Sequence, residues 1–135
     1  MNAIQRNRRA RGQRGSISVE AALLLPIFMM LILAFVDFGR LMWTQTVVNS
    51  AAAEAARLAV LPEPSNAAVA DLAAKRVLDG GIKTPPSVLV GARNSNEPVS
   101  VTVSVGFDFL MLADLAPGVL AHRNISSTSV MVHQP

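Results

Sequence analysis

The stretch Ala21-Ala-Leu-Leu-Leu-Pro-Ile-Phe-Met-Met-Leu-Ile-Leu-Ala-Phe-Val36 carries no charge, and Ile17 to Val19 extend it if Glu20 is tolerated. A helix that crosses a bilayer needs about 20 mostly apolar residues, so this segment is long enough to span. A cleaved secretory signal has a shorter apolar region, roughly 7–15 residues, and a small-residue cleavage site after it. Here the apolar run ends at Asp37-Phe-Gly-Arg40. The A-x-A pattern in Ala51-Ala-Ala lies well past the run, in helix-forming sequence. The segment therefore reads as a retained membrane span around which the rest of the chain is organised.

On its N-terminal side, Arg6, Arg8, Arg9, Arg11 and Arg14 precede Gly15 without one acid. From Ser16 onward 7 Lys and Arg face 9 acids, so the remainder is net −2 although the whole chain is +3. The basic character belongs to the leader, and arginines directly before an apolar run hold an N-terminus in the cytoplasm. An arginine-rich arm can also be a nucleic-acid tail. No stacking aromatics or second basic patch accompany this one, so no nucleic acid is expected as a partner.

On its C-terminal side, Leu41 to Leu61 lacks Gly and Pro, is rich in alanine, and meets Pro62, which cannot continue a helix. One helix from about Ser16 to Leu61 would be about 69 Å long at about 1.5 Å per residue. Its outer half reads as an amphipathic stem, with Val47, Ala51, Glu54 or Ala55, and Leu58 on one face. Pro26 removes a hydrogen bond inside the span and kinks it, either locally or with a role in assembly. Met29, Met30 and Met42 read as packing residues and Trp43 as an interfacial anchor. Asp37 and Arg40 mark the membrane exit and, three residues apart, could form a surface ion pair worth less than about 1 kcal/mol.

Glu20 is the one ionisable group within the span. A carboxylate at such depth costs a few kcal/mol if unpaired and so calls for a partner or a function. If the chain were cut after Gly15, Ser16 would carry an α-ammonium one helical turn from Glu20, on the same face. That pair, within the chain or with a neighbouring subunit, would neutralise both charges. The alternative is a carboxylate solvated at the interface near a helix N-terminus.

Beyond the linker Pro62-Glu-Pro64, Asn66 to Asp79 reads as a short amphipathic helix with Val69, Leu72, Ala73 and Val77 inward, stopped by Gly80-Gly81. Ser87 to Gly91 is a brief apolar run. Val99 to Phe109 alternates without error between Val or Phe and Ser, Thr, Gly or Asp, the clearest strand signal in the chain. Ile125 to Val132 is a weaker strand. A two- or three-stranded antiparallel sheet packed on the stem and the short helix follows, and so small a domain leans on the stem for its core.

No catalytic constellation emerges. The chain has no Cys, which excludes thiol chemistry, thiolate metal sites and disulfides. His122 and His133 read as isolated. Asp108 and Asp114 lack a third carboxylate for calcium, and Gly80-Gly81 lacks the lysine and spacing of a phosphate loop. Neither an enzyme, nor a metal, nor a cofactor is expected.

Three segments together carry a resemblance: Gly15-Ser-Ile-Ser-Val-Glu20-Ala-Ala-Leu-Leu-Leu-Pro26, Val36-Asp37-Phe-Gly39-Arg40, and Asn49-Ser-Ala-Ala-Ala-Glu54-Ala-Ala-Arg57. The chain resembles the TadE-like minor pseudopilins of the tight-adherence system that builds Flp pili, over roughly Gly15 to Val60. The resemblance implies cleavage by a prepilin peptidase between Gly15 and Ser16, with Glu20 as the glutamate at the fifth mature position. The acidic-x-Gly-Arg element maps onto Asp37, Gly39 and Arg40, and the alanine-rich stretch ending in Ala-Arg onto Ala56 and Arg57. Members often carry Glu where this chain has Asp37, and Arg-Glu-Gly-Ala-Arg where it has Ala53-Glu-Ala-Ala-Arg57. Ala21 stands where the major pilin has tyrosine.

The expected architecture is α+β: a basic leader over 1–15, a transmembrane and stem helix over 16–61, and an extracytoplasmic domain over 62–135. By resemblance the protein is a non-enzymatic pseudopilin of the inner membrane, N-terminus cytoplasmic, at or in the base of a pilus that serves adhesion and biofilm formation. Its partners would be the peptidase, other pseudopilins or pilins, inner-membrane assembly components and lipid. The alternative is an uncleaved single-pass protein whose outer domain binds a partner unrelated to pili.

Overall fold

The computed structural model describes residues 3–94, 97–110, 113, 118 and 122–132, with side chains from Ile17 onward. Five elements follow one another: α1 (Ala3–Ala59), α2 (Asn66–Asp79), β1 (Ser87–Val90), β2 (Pro98–Phe107) and β3 (Arg123–Val132). The fold is α+β, as the sequence leads one to expect. Two compact units divide the chain, Met1–Val36 and Asp37–Pro135.

The first unit is helix throughout its described length, and α1 begins at Ala3 rather than near Ser16. Arginine, glutamine and alanine are good helix formers, and the single Gly15 costs about 1 kcal/mol, too little to break the run. Pro26 lies inside α1. The side chains of Leu23, Leu25, Ile27, Phe28 and Phe35 are more than half exposed. From Ile17 onward the helix is long and apolar enough to cross a membrane.

In the second unit α1 continues as a stem and ends at Ala59, three residues before Pro62. A residue that precedes proline avoids helical backbone, which moves the end inward from Leu61. A tight last turn, Leu61 N–H to Leu58 O at 3.1 Å, finishes it. The buried stem face comprises Asp37, Thr44, Val48, Ala51, Ala52, Ala55, Ala56 and Ala59, whereas Val47 and Leu58 are half-buried at its margins. Of the expected stripe Ala51 and Ala55 are buried, while Val48 and Ala59 take the inner places expected of their neighbours Val47 and Leu58.

Helix α2 starts where Ser65 accepts from the Ala68 N–H at 3.2 Å, an N-cap that satisfies one of the free donors of the first turn. It ends in a Schellman closure. Gly81, at φ +82°, donates to Leu78 O, and Ile82 donates to Val77 O. Val69, Ala73 and Val77 are buried, while Leu72 is only half-buried. A Cβ on Gly80 would lie 2.5 Å from Val47 Cγ1, so glycine there permits a close approach of α2's end to the stem.

The sheet has the order β1-β2-β3 with both pairs antiparallel. Central β2 supplies Val99, Val101, Val103, Val105 and Phe107 to one core with the stem alanines, Val48, Val69, Ala73, Val77 and Ile125. The expected alternation holds through Phe107. Phe109 lies beyond the strand and packs edge-on against Phe107, with centroids 5.0 Å apart. The small domain thus draws its core from the stem.

Candidate functional site

The sequence singles out two clusters on α1, the Gly15 to Glu20 junction and the Asp37 to Arg40 element, and Arg57 near the helix end. At the junction, the side chains of Arg6, Arg8, Arg9, Arg11, Arg14, Gly15 and Ser16 lie outside the described residues. Glu20 is exposed and has no hydrogen-bond or ion-pair partner among the described residues. The pair with Ser16 requires a free α-amine at Ser16, which the intact chain does not have.

Asp37 and Arg40 face the folded unit. Their side chains pair at 3.1 Å, Arg40 Nη1 to Asp37 Oδ1. Asp37 is 1 % exposed, so the surface ion pair expected from spacing is instead a buried acid with a half-exposed base. The same Asp37 oxygen accepts the backbone N–H of Leu110 at 3.1 Å, 73 residues away in sequence. Arg40 lies over the Phe107 ring, 5.3 Å from its centroid, and reaches the Asp108 carbonyl at 3.5 Å. Asp37 and Arg40 therefore bind Phe107, the last residue of β2, and Asp108 and Leu110 beyond it to the first turns of the stem. Helical spacing could show that the two residues meet. It could not show that Leu110 and Phe107 would join them, since that contact is made by the tertiary fold.

Gly39, between them, is exposed, and a Cβ there would meet nothing within 4 Å. Glycine inside a helix is costly relative to alanine, by roughly 0.5–1 kcal/mol, and no contact within the described chain requires it. Arg57 is exposed in the last turn of α1 and has no hydrogen bond or ion pair with the described residues. Its position suits the negative end of the helix dipole.

Three anchors escape sequence reasoning. Arg93 donates to the carbonyls of Ala59, Leu61 and Pro64 and to Asn66 Oδ1, which ties the open C-terminus of α1 to the start of α2. An arginine so placed satisfies carbonyls that a helix end leaves without partners. Trp43, expected as an interfacial anchor, donates its indole N–H to Gly80 O at 3.0 Å while its ring stays 61 % exposed. Arg76 pairs with Glu54 between α2 and the stem. His122 is not isolated, for its Nδ1 lies 2.6 Å from Asp108 Oδ1 across the start of β3. Asp114 and His133 lie outside the described residues. Among the described residues no group of three or more His, Asp or Glu could hold a metal ion.

The arrangement tethers and packs; the described side chains form no array of nucleophile, base and oxyanion donor. A family model described as TadE-like protein matches residues 15–57. No curated protein and no solved structure matches the chain. The matched residues run from the glycine of the basic junction, through the apolar helix and the Asp37 to Arg40 clamp, to Arg57 at the end of the alanine face, and over this stretch the chain is similar to the TadE-like family.

Proposed function

We propose that the protein is a pseudopilin of Flp pilus biogenesis, cut by a prepilin peptidase between Gly15 and Ser16. The observation that carries this reading is the family match, which begins at Gly15, directly between an arginine leader and an apolar helix with a carboxylate five residues into the mature chain. Residues 1–15 form the leader, 16–61 the membrane and stem helix, and 62–135 an extracytoplasmic domain. Arg6, Arg8, Arg9, Arg11 and Arg14 keep the leader cytoplasmic, where excess Lys and Arg belong.

After the cut, the Ser16 α-ammonium and Glu20 neutralise each other, within one chain or between neighbours, so that the helix enters a bundle without an uncompensated charge. Pro26 shapes the helix. Gly39, where a Cβ would meet nothing within 4 Å, and the exposed Arg57 face other pilin-like helices or inner-membrane assembly components. The Asp37 to Arg40 clamp fixes the folded domain to the helix at the membrane exit, so that a pull on one moves the other. The protein would support a pilus acting in adhesion and biofilm formation.

The test is the intact mass and N-terminal sequence of the protein from membranes of cells that carry the native peptidase. A chain beginning at Ser16 is expected, and Gly15→Phe should leave it unprocessed. A wild-type chain that retains residues 1–15 would overturn the reading in favour of an uncleaved anchor.

A further inference from the structure

Beside the Asp37 to Arg40 clamp, an open cleft of about 550 Å³ lies within the folded unit. That volume is ordinary for a small-molecule site. Its walls come from three places in the chain: Arg40 and Trp43 on the stem, Lys83 and Thr84 after α2, and Phe107 and Asp108 where β2 ends.

The clamp uses only part of what these side chains can donate. Both hydrogen bonds of Arg40 leave from Nη1, to Asp37 Oδ1 at 3.1 Å and to the Asp108 carbonyl at 3.5 Å. Its Nε and Nη2 form the edge whose two parallel N–H groups fit a phosphate, and they have no partner among the described residues. Lys83 and Thr84 are exposed, and their side chains also have none. Asp108 is the one acid on the described walls, and its carboxylate is held by His122 Nδ1 at 2.6 Å. Two cations thus face a single acid that already has a partner, an arrangement that attracts an anion with several oxygens.

Depth identifies the anion. Along α1, Arg40 is four residues past Val36, where the uncharged run ends, and Trp43 is seven past it. At about 1.5 Å per residue these positions are roughly 6 and 10 Å beyond the apolar segment. The interfacial layer on each side of a bilayer is about 5–8 Å deep, and tryptophan collects at the level of its headgroups. Trp43 spends its indole N–H on Gly80 O and keeps a ring 61 % exposed on the cleft, an apolar wall that a lipid glycerol can lie along and a free phosphate does not need.

We infer that the cleft binds the phosphate ester of an anionic phospholipid headgroup, with Arg40 and Lys83 on the phosphate oxygens and Trp43 along the glycerol. The inference rests on the membrane anchor of the proposed function, and on neither processing nor pili.

The full chain in phosphatidylcholine vesicles tests it through Trp43, the sole tryptophan, which lipids brominated in their chains quench on contact. The wild type should favour brominated phosphatidylglycerol over brominated phosphatidylcholine by at least about tenfold, the scale of one charge-assisted hydrogen bond. Equimolar inorganic phosphate should not relieve the quenching. Lys83 has no hydrogen bond or ion pair among the described residues, so Lys83→Glu should keep its circular dichroism while it erases the preference. Lys75→Glu makes the same charge change at an exposed lysine of α2 outside the cleft, and should alter the preference by less than about twofold. Equal quenching by the two lipids in the wild type, equal losses in the two variants, or relief by inorganic phosphate would each overturn the inference. Alkaline carbonate extraction of the same vesicles separates the two readings: a chain that stays in the bilayer without a lipid preference sinks the cleft alone, and a chain that washes out sinks the anchor as well.

Discussion

Replacing Asp37 and Arg40 singly and together measures how firmly the folded unit is held to its stem. Asp37→Ala removes the acceptor of the Leu110 N–H and the partner of Arg40. A hydrogen bond to a charged group contributes about 1.5–3 kcal/mol. Arg40 is 41 % exposed and can turn to water when its partner goes, so little further is lost on that side. We expect a loss of about 2–3 kcal/mol.

Arg40→Ala takes the guanidinium away from the Asp37 carboxylate, which is 1 % exposed and keeps the Leu110 N–H. Breaking a buried pair costs about 3–5 kcal/mol, discounted here because the cation was half in water. The contact with the Phe107 face adds about 0.5–1 kcal/mol. Arg40→Ala should therefore cost about 3–4 kcal/mol, at least as much as Asp37→Ala although Asp37 is the more buried residue.

The double variant removes both the acid and its cation. Its cost should fall below the sum of the single costs by about 1–2 kcal/mol, the coupling of residues in one network. Trp43 is the sole tryptophan and its indole donates to Gly80, so its fluorescence reports the second unit. Urea titration of the full chain in micelles gives the four stabilities. Additive single losses, or an Arg40→Ala cost under about 0.5 kcal/mol, the scale of an exposed pair, would refute the buried-clamp reasoning.

Two further outcomes follow from the same contacts. Gly39→Ala should stabilise the isolated chain by about 0.5–1 kcal/mol, since helical glycine is costly and a Cβ there meets nothing, and the urea midpoint should rise. If assembly in cells fails in the same variant, glycine is kept for a neighbour and not for the fold. Arg93→Ala should free three carbonyls and Asn66, lower stability by about 2 kcal/mol, and speed amide exchange selectively in the last turn of α1 and at the start of α2. Uniform exchange changes across the sheet would contradict that role.

Elements with strong local periodicity were legible in the sequence. Asn66 to Asp79 follows from a 3.6-residue apolar rhythm and a glycine stop. Strand β2 follows from its unbroken alternation of Val or Phe with small polar residues. Where the rhythm is carried by alanine, the face is legible at Ala51 and Ala55 but not at its ends. Alanine at Ala51, Ala52, Ala55 and Ala56 gives no contrast between faces, so Val47 and Leu58 seemed the better markers of an interior that Val48 and Ala59 in fact occupy. Arg93 was invisible for a different reason. Its partners are backbone carbonyls of Ala59, Leu61 and Pro64, and no side-chain pattern announces an acceptor that every residue possesses.

The acidic-x-Gly-Arg element belongs to both classes, and that is why its chemistry is informative. Spacing alone brings Asp37 to Arg40. Only the fold explains why the acid can be buried at the top of an otherwise apolar helix: β2 ends over it and lends the Leu110 N–H, while Phe107 supports the guanidinium. A charge pair worth little on a bare helix gains its value when the folded domain closes over one member. The helix therefore does not gain much from Asp37 and Arg40 by itself, and neither does the sheet; what they stabilise is the attachment of one to the other.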